Sequence, residues 1–273
     1  MLYHRQKNLL ELLHASGPVG KTKLMKLAFY AKEKLIKSNQ AFYDFSPYKY
    51  GAYSFQLEKD LSTLIDMEYI SKDDDLYSTR GINSDTSFIK RQMSKYFEMN
   101  ANDLMFSVYN EYPYYTINSI KTSNQYEFPE TQYNNFYTIG YEGHSIDSFV
   151  NLLIKNQIDS IMDVRGNPIS RKFGFSKNIL EDVLSKLKIK YVSARSLGVP
   201  SHIRTLLDTH GLERYFTMYE DYLKDKADDI EHFSNIINES RNVALLCFEH
   251  NANECHRSVL ASNLLTDKGT VNL

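Results

Sequence analysis

The chain has no tryptophan and only two cysteines, Cys247 and Cys255, in 273 residues. That excludes a disulfide scaffold and makes reduced thiols the default. No apolar run approaches the roughly 18 residues of a membrane-spanning helix, and no secretory apolar region stands near the start. A cytoplasmic location without a membrane partner is therefore expected. One sign of charge is not in surplus either: the formal net charge is −2. Neither half is a basic arm, which argues against strong non-specific polyanion binding, although a local basic groove is compatible with it. Internal repeats and low-complexity tracts are absent.

What is present reads as a folded protein of two parts. Hydrophobic residues make up 42% and charged residues 24%, ordinary for a globular chain long enough for two domains. Residues 1–125 predict a mainly helical, winged-helix-like domain. Helical patterns cover Leu2–His14, Lys21–Ile36 and Phe55–Met67, with an aromatic link at Phe42–Tyr53. A small hairpin follows at Tyr69–Ser71 and Leu76–Ser78, then helices at Thr86–Glu98 and Ala101–Glu111. The aromatic string Tyr112–Tyr115 could stack on unpaired bases, but a packed role suits a chain with 21 tyrosines better. A linker is expected over 126–136.

From 137 to 273 strands and helices alternate. Strands are predicted at Phe136–Ile139, Ser160–Val164, Ile189–Val192 and Val243–Phe248, with a short last one at Thr270–Leu273. Helical patterns lie at Ile146–Asn156, Lys177–Leu187, Leu212–Glu239 and Glu254–Thr266. Such alternation predicts an α/β fold, a Rossmann-like and mostly parallel sheet with helices on both faces. Ligands of such sheets bind at the carboxyl ends of the strands.

The polar residues gather at those ends. After the last long strand, Val243–Arg257 (VALLCFEHNANECHR) packs a thiol, a carboxylate, an imidazole and a guanidinium into a few positions. Asp163 and Glu249 are candidate acid–base groups, because paired carboxylates in different environments divide those roles. Cys255 and His256 complete the catalytic candidates: a thiol at a helix N-terminus becomes a nucleophile if its pKa falls, with His256 or His144 as its base. Arg165, Arg171 and Arg257 form a candidate phosphate clamp, with His144 and Ser145 beside it. Plainer readings stand next to these: a structural Asp163–Arg165 ion pair, a core thiol at Cys247, a capping role for His256 and carbonyl partners for Arg257. Cys247, Cys255, His256 and His144 also offer sulfur and nitrogen ligands to zinc, but their spacing fits no standard finger, so the preferred reading has no cofactor.

Four ordered segments, TIGYEGHS (Thr138–Ser145), DVRGNPISR (Asp163–Arg171), IKYVSARSLGVP (Ile189–Pro200) and LLCFEHNANECHR (Leu245–Arg257), make residues 137–273 resemble the domain-of-unknown-function 488 family of bacteria and archaea. The resemblance implies an α/β fold with a polar pocket, and a setting beside DNA-modification and phage-defence genes. Members usually end in a Val-His-Ile-like strand, and here Asn272 takes the histidine position. KLMKLAFYA (Lys23–Ala31) and PYKYGAYSFQLEKDL (Pro47–Leu61) are similar to a helical module fused to that family, and to antitoxin-type domains of the Panacea group. The expectation is thus an enzyme on a nucleotide or nucleic acid, with the N-terminal half positioning DNA. The alternatives are a non-catalytic DNA- or ligand-binding sensor or defence module, and a Cys255-dependent transferase. Self-association and a partner protein on the N-terminal domain are compatible with each.

Overall fold

The computed structural model describes residues 1–36, 41–129 and 134–273, so part of the expected linker, 130–133, lies outside the described residues. The chain divides into two units, Met1–Glu127 and Phe128–Leu273. Among the described residues no helix is long and apolar enough to cross a membrane.

The first unit runs α1 (His4–Ser16), β1 (Val19–Gly20), α2 (Lys21–Lys34), β2 (Ser46–Tyr48), β3 (Gly51–Tyr53), α3 (Phe55–Asp66), β4 (Ile70–Asp73), β5 (Leu76–Thr79), α4 (Ser87–Glu98) and α5 (Ala101–Glu111), then a 3-10 turn at Pro113–Thr116. Leu9, Leu10, Leu12 and Leu13 bury one side of α1. Every residue of α2 from Leu24 to Ala31 is buried, which makes it the central helix of this unit. The Ser54 side chain caps α3 by accepting the Leu57 amide, and Asn100 caps α5 through the amides of Asn102 and Asp103. Strands β1, β5 and β4 form one antiparallel sheet. The expected aromatic link contains a hairpin instead, β2 with β3. Its turn uses Gly51 at φ 88°, where a Cβ would also lie 2.8 Å from the Tyr109 ring. Tyr112 and Tyr115, half-buried, pack edge-on against Phe29, so the aromatic string packs against the core of this unit.

The second unit runs β6 (Asn135–Gly140), α6 (Ile146–Lys155), β7 (Ser160–Asp163), α7 (Lys177–Lys186), β8 (Lys190–Ser193), α8 (Ser201–Lys224), α9 (Ala227–Glu239), β9 (Asn242–Cys247), α10 (His256–Asn263) and β10 (Thr270–Asn272). The sheet order is β10-β6-β9-β7-β8, parallel at every pairing. Strand β9 is buried along its whole length, as the central strand of a sheet covered on both faces must be. Its register places Gly140 beside Cys247 and Asp163 beside Leu246, which aligns the carboxyl ends of β6, β9 and β7 at one edge. Helix α8 begins about ten residues before the helical pattern at Leu212. Its first half is mostly exposed, so it carries little apolar periodicity, and Gly211 (φ 79°, ψ 177°) kinks it.

Lys26, in the core of the first unit, is 1% exposed, and its Nζ donates to the Ala52 carbonyl at 2.6 Å. Burial lowers its pKa from 10.5 to about 7. Between those values the unfolded chain binds a proton that the folded chain has released, so stability rises with pH across that window; below about pH 7 the full cost of the buried charge is present. Urea unfolding of the full chain is expected to show stability climbing from about pH 7 to pH 9.5, by at most about 1.4 kcal/mol per unit. Lys26→Met should lose that slope. The same slope in both proteins would contradict the assignment.

Candidate metal centre at the carboxyl edge of the sheet

Strand β9 delivers Cys247 to the sheet edge with its side chain in the dry interior. The ladder to β6 continues past both strand ends, with the Tyr141 amide donating to Cys247 O and the Glu142 amide to Phe248 O. This directs Phe248 outward and turns Glu249 back, half-buried, over the edge. After a 3-10 turn at Ala252–Glu254, Cys255 occupies the position before α10, and His256 and Arg257 open that helix. Gly140 is required beneath this loop, because a Cβ there would lie 1.7 Å from the Glu249 carbonyl oxygen.

Four side chains meet at this point. The thiols of Cys247 and Cys255 donate to the same Glu249 oxygen, Oε2, at 2.9 and 3.0 Å. The His256 Nδ1 lies 3.7 and 3.8 Å from the two sulfurs. One donor atom from each of the four lies within 4.8 Å of all the others. His256 Nε2 donates to the carbonyl of Val164, just past β7, at 3.3 Å, which leaves Nδ1 as the lone-pair nitrogen facing the sulfurs. The Tyr219 ring stands edge-on to the imidazole at 5.3 Å. Cys247, Cys255 and His256 are buried, and Glu249 alone of the four retains solvent contact.

Burial pushes the Glu249 carboxyl up, but hydrogen bonds from the two thiols and from its own amide hold the group below its ordinary value. The Cys255 thiol is pushed far up by burial and then by Cys247. Burial also raises Tyr215 of α8, reinforced by Cys255 and Glu249. Two sulfurs, an imidazole nitrogen and a carboxylate oxygen are the donor types from which zinc sites are built. Zinc takes sulfur at about 2.3 Å and nitrogen or oxygen at about 2.0–2.2 Å, so tetrahedral donors stand roughly 3.3–3.8 Å apart. The two sulfur–nitrogen separations, 3.7 and 3.8 Å, already lie in that range, and the widest separation in the set, up to 4.8 Å, has to close by about 1 Å. The carbonyl bond to the far nitrogen of His256 is the kind of outer contact that orients a metal-binding imidazole.

The other sequence candidates have different places. His144 is not in the cluster; its Nδ1 is 3.3 Å from Ser148 Oγ, and Glu249 stands where the zinc variant put His144. Ser145 caps α6 by accepting the Ser148 amide. Asp163 accepts from the Arg165 amide, Nε and Nη2 and from the Tyr191 hydroxyl, which commits both of its oxygens. The third Arg165 nitrogen donates to Phe175 O. Arg257 is buried and donates to Thr138 Oγ1 and to the Glu249 and His250 carbonyls. Arg171 is exposed on the loop after β7. Thus the expected three-arginine clamp is not assembled: two guanidiniums are spent on internal acceptors. Thr138, Val164 O and Tyr219 belong to the site without having been singled out, whereas the density of Cys247, Glu249, Cys255 and His256 around the end of β9 signalled the ligand set.

Residues 145–264, from the cap of α6 through α10, match the family model described as Domain of unknown function DUF488, the family the four sequence segments resemble. No curated protein and no solved structure matches the chain.

The Asp163–Arg165 pair supports the edge on which this site is built. Asp163→Ala leaves a buried arginine without its counter-charge and should destabilise the second unit by about 3–5 kcal/mol. Chemical denaturation of the full chain checks this, and a loss below about 1 kcal/mol would contradict it.

Proposed function

We propose that the second unit is a metal-dependent enzyme domain, with Cys247, Cys255 and His256 holding a zinc ion and Glu249 occupying its exchangeable position. One observation carries this: four donors of the right chemistry within 4.8 Å, three of them buried, at the ligand-binding edge of a parallel sheet. The proposed substrate class is a nucleotide or nucleic acid. Two cysteines and a histidine are the ligands with which zinc deaminases hold their ion, beside a glutamate that is the acid–base group and not a ligand. The analogy is one of site chemistry and not of fold, and it requires Glu249 to yield its position to water. Exposed Arg171, Lys172 and Arg195 on the loops after β7 and β8 supply positive charge near the same edge.

When bound, zinc supplies Lewis acidity. Glu249, held ionised and in contact with solvent, takes the proton of an attacking water and returns it to the leaving group. A Cys255 nucleophile is disfavoured, because burial holds that thiol protonated and a useful nucleophile needs the opposite shift. Asp163 has no part in proton transfer, since its oxygens are committed to Arg165 and Tyr191.

A second reading rests on the number four. A set of four protein donors is the mark of a closed, structural zinc site. In that case Glu249 is a permanent ligand and the domain needs the ion only to fold.

Elemental analysis of the full chain purified under reducing conditions should give about one zinc per molecule. Cys255→Ser and His256→Ala should reduce that at least tenfold, and a metal-free wild type would overturn the proposal. Zinc-loaded protein incubated with nucleotides and single-stranded oligonucleotides should release product detectable by mass spectrometry. Glu249→Gln should slow that turnover by roughly 10²–10⁴-fold with its zinc retained. Absence of product together with a zinc-dependent melting temperature would select the structural reading.

A further inference from the structure

Arg257 is the bulkiest wholly buried side chain among the described residues, and it sits next to a proposed ligand, His256. A guanidinium keeps its charge, so burying one requires acceptors for its whole fork. Nη1 donates to the Glu249 carbonyl and Nη2 to the His250 carbonyl at 2.8 Å. Nε donates to Thr138 Oγ1 at 3.2 Å. Thr138, in the middle of β6, passes its own proton to Asn272 Oδ1 on β10 at 2.7 Å. A continuous hydrogen-bonded chain thus runs from the last strand, through β6, to the backbone of the loop that carries Glu249.

That loop is held from two sides. Arg257 grips the Glu249 carbonyl, and Gly140 leaves no space for that oxygen to move towards β6. The same residue's carboxylate is the one that joins the two sulfurs. Fixing the backbone on both sides limits where the carboxylate can reach, and Arg257 does so without bonding to any of the four donor side chains.

We propose that Arg257 is the positioning residue of the metal centre, and that β10 sets its fork through Asn272 and Thr138; the inference rests on the metal reading above. The occupancy of the Glu249 position is then coupled to the docking of a short edge strand. Removing the link alters metal geometry and not only stability.

Cobalt(II) titration of the full chain tests this, because the visible bands of a cobalt–thiolate site report geometry and the titration reports affinity. Wild type should give the intense bands of a tetrahedral thiolate site. Arg257→Lys, which keeps charge but loses the fork, should bind cobalt at least tenfold more weakly with shifted bands. Thr138→Val, close to isosteric, should behave likewise, while Thr138→Ser keeps the hydroxyl and should match wild type. Asn272→Ala, on an exposed strand, should weaken binding at least threefold. Should Arg257→Lys fail to fold, the two Thr138 variants decide alone. Wild-type bands and affinity in Thr138→Val would overturn the positioning role and leave the metal centre standing. No cobalt uptake by wild type would overturn the metal reading beneath it.

Discussion

Two thiols that share one carboxylate oxygen, with an imidazole nitrogen facing both sulfurs, are the interaction around which the second unit is arranged. Buried polar groups must find partners, and here they find one another. The sheet brings Cys247 to the edge, the 3-10 turn returns the chain, and α10 begins on Cys255 and His256. Gly140, Val164 and Arg257 fix the backbone and the ring around them. Without the cluster, these close approaches have no common purpose.

The same economy explains the rest of the edge. Asp163 and Arg165 satisfy each other behind the site, and Tyr191 and Phe175 complete their bonds. Charge facing solvent is left to the loops, at Arg171, Lys172 and Arg195. In the proposed reading the dry centre holds the metal ion, and the loops around it carry Glu142 and Glu254 as well as those three cations. That centre does not suit a thiolate nucleophile, whose activation needs the stabilisation that burial removes.

Much of this was legible in the amino-acid order, and the reasons for the remainder are physical. Alternating strands and helices after residue 136 specify a parallel sheet because a crossover connection permits little else. The density of Cys247, Glu249, Cys255 and His256 marked the site, but their convergence depended on a 3-10 turn that no periodicity encodes. Arg257 looked like a ligand-binding residue because its burial is set by a neighbour distant in sequence, Thr138, and Arg165 because the fold of the following loop, which brings the Phe175 carbonyl to it, leaves no periodicity. Ser145, expected beside the anion clamp, caps α6 instead, as a serine directly before an apolar helical period does. The hairpin at Ser46–Tyr53 hid inside an aromatic run, since aromatic side chains suit strands and packed links equally. The first half of α8 hid for the opposite reason: it buries too little to leave a pattern.

X-ray absorption at the zinc edge of the full, reduced chain tests the central claim most directly. The account predicts a first shell of two sulfurs at about 2.3 Å and two nitrogen or oxygen atoms at about 2.0–2.2 Å. A shell of nitrogen and oxygen alone, or a protein that takes up no zinc, would contradict it.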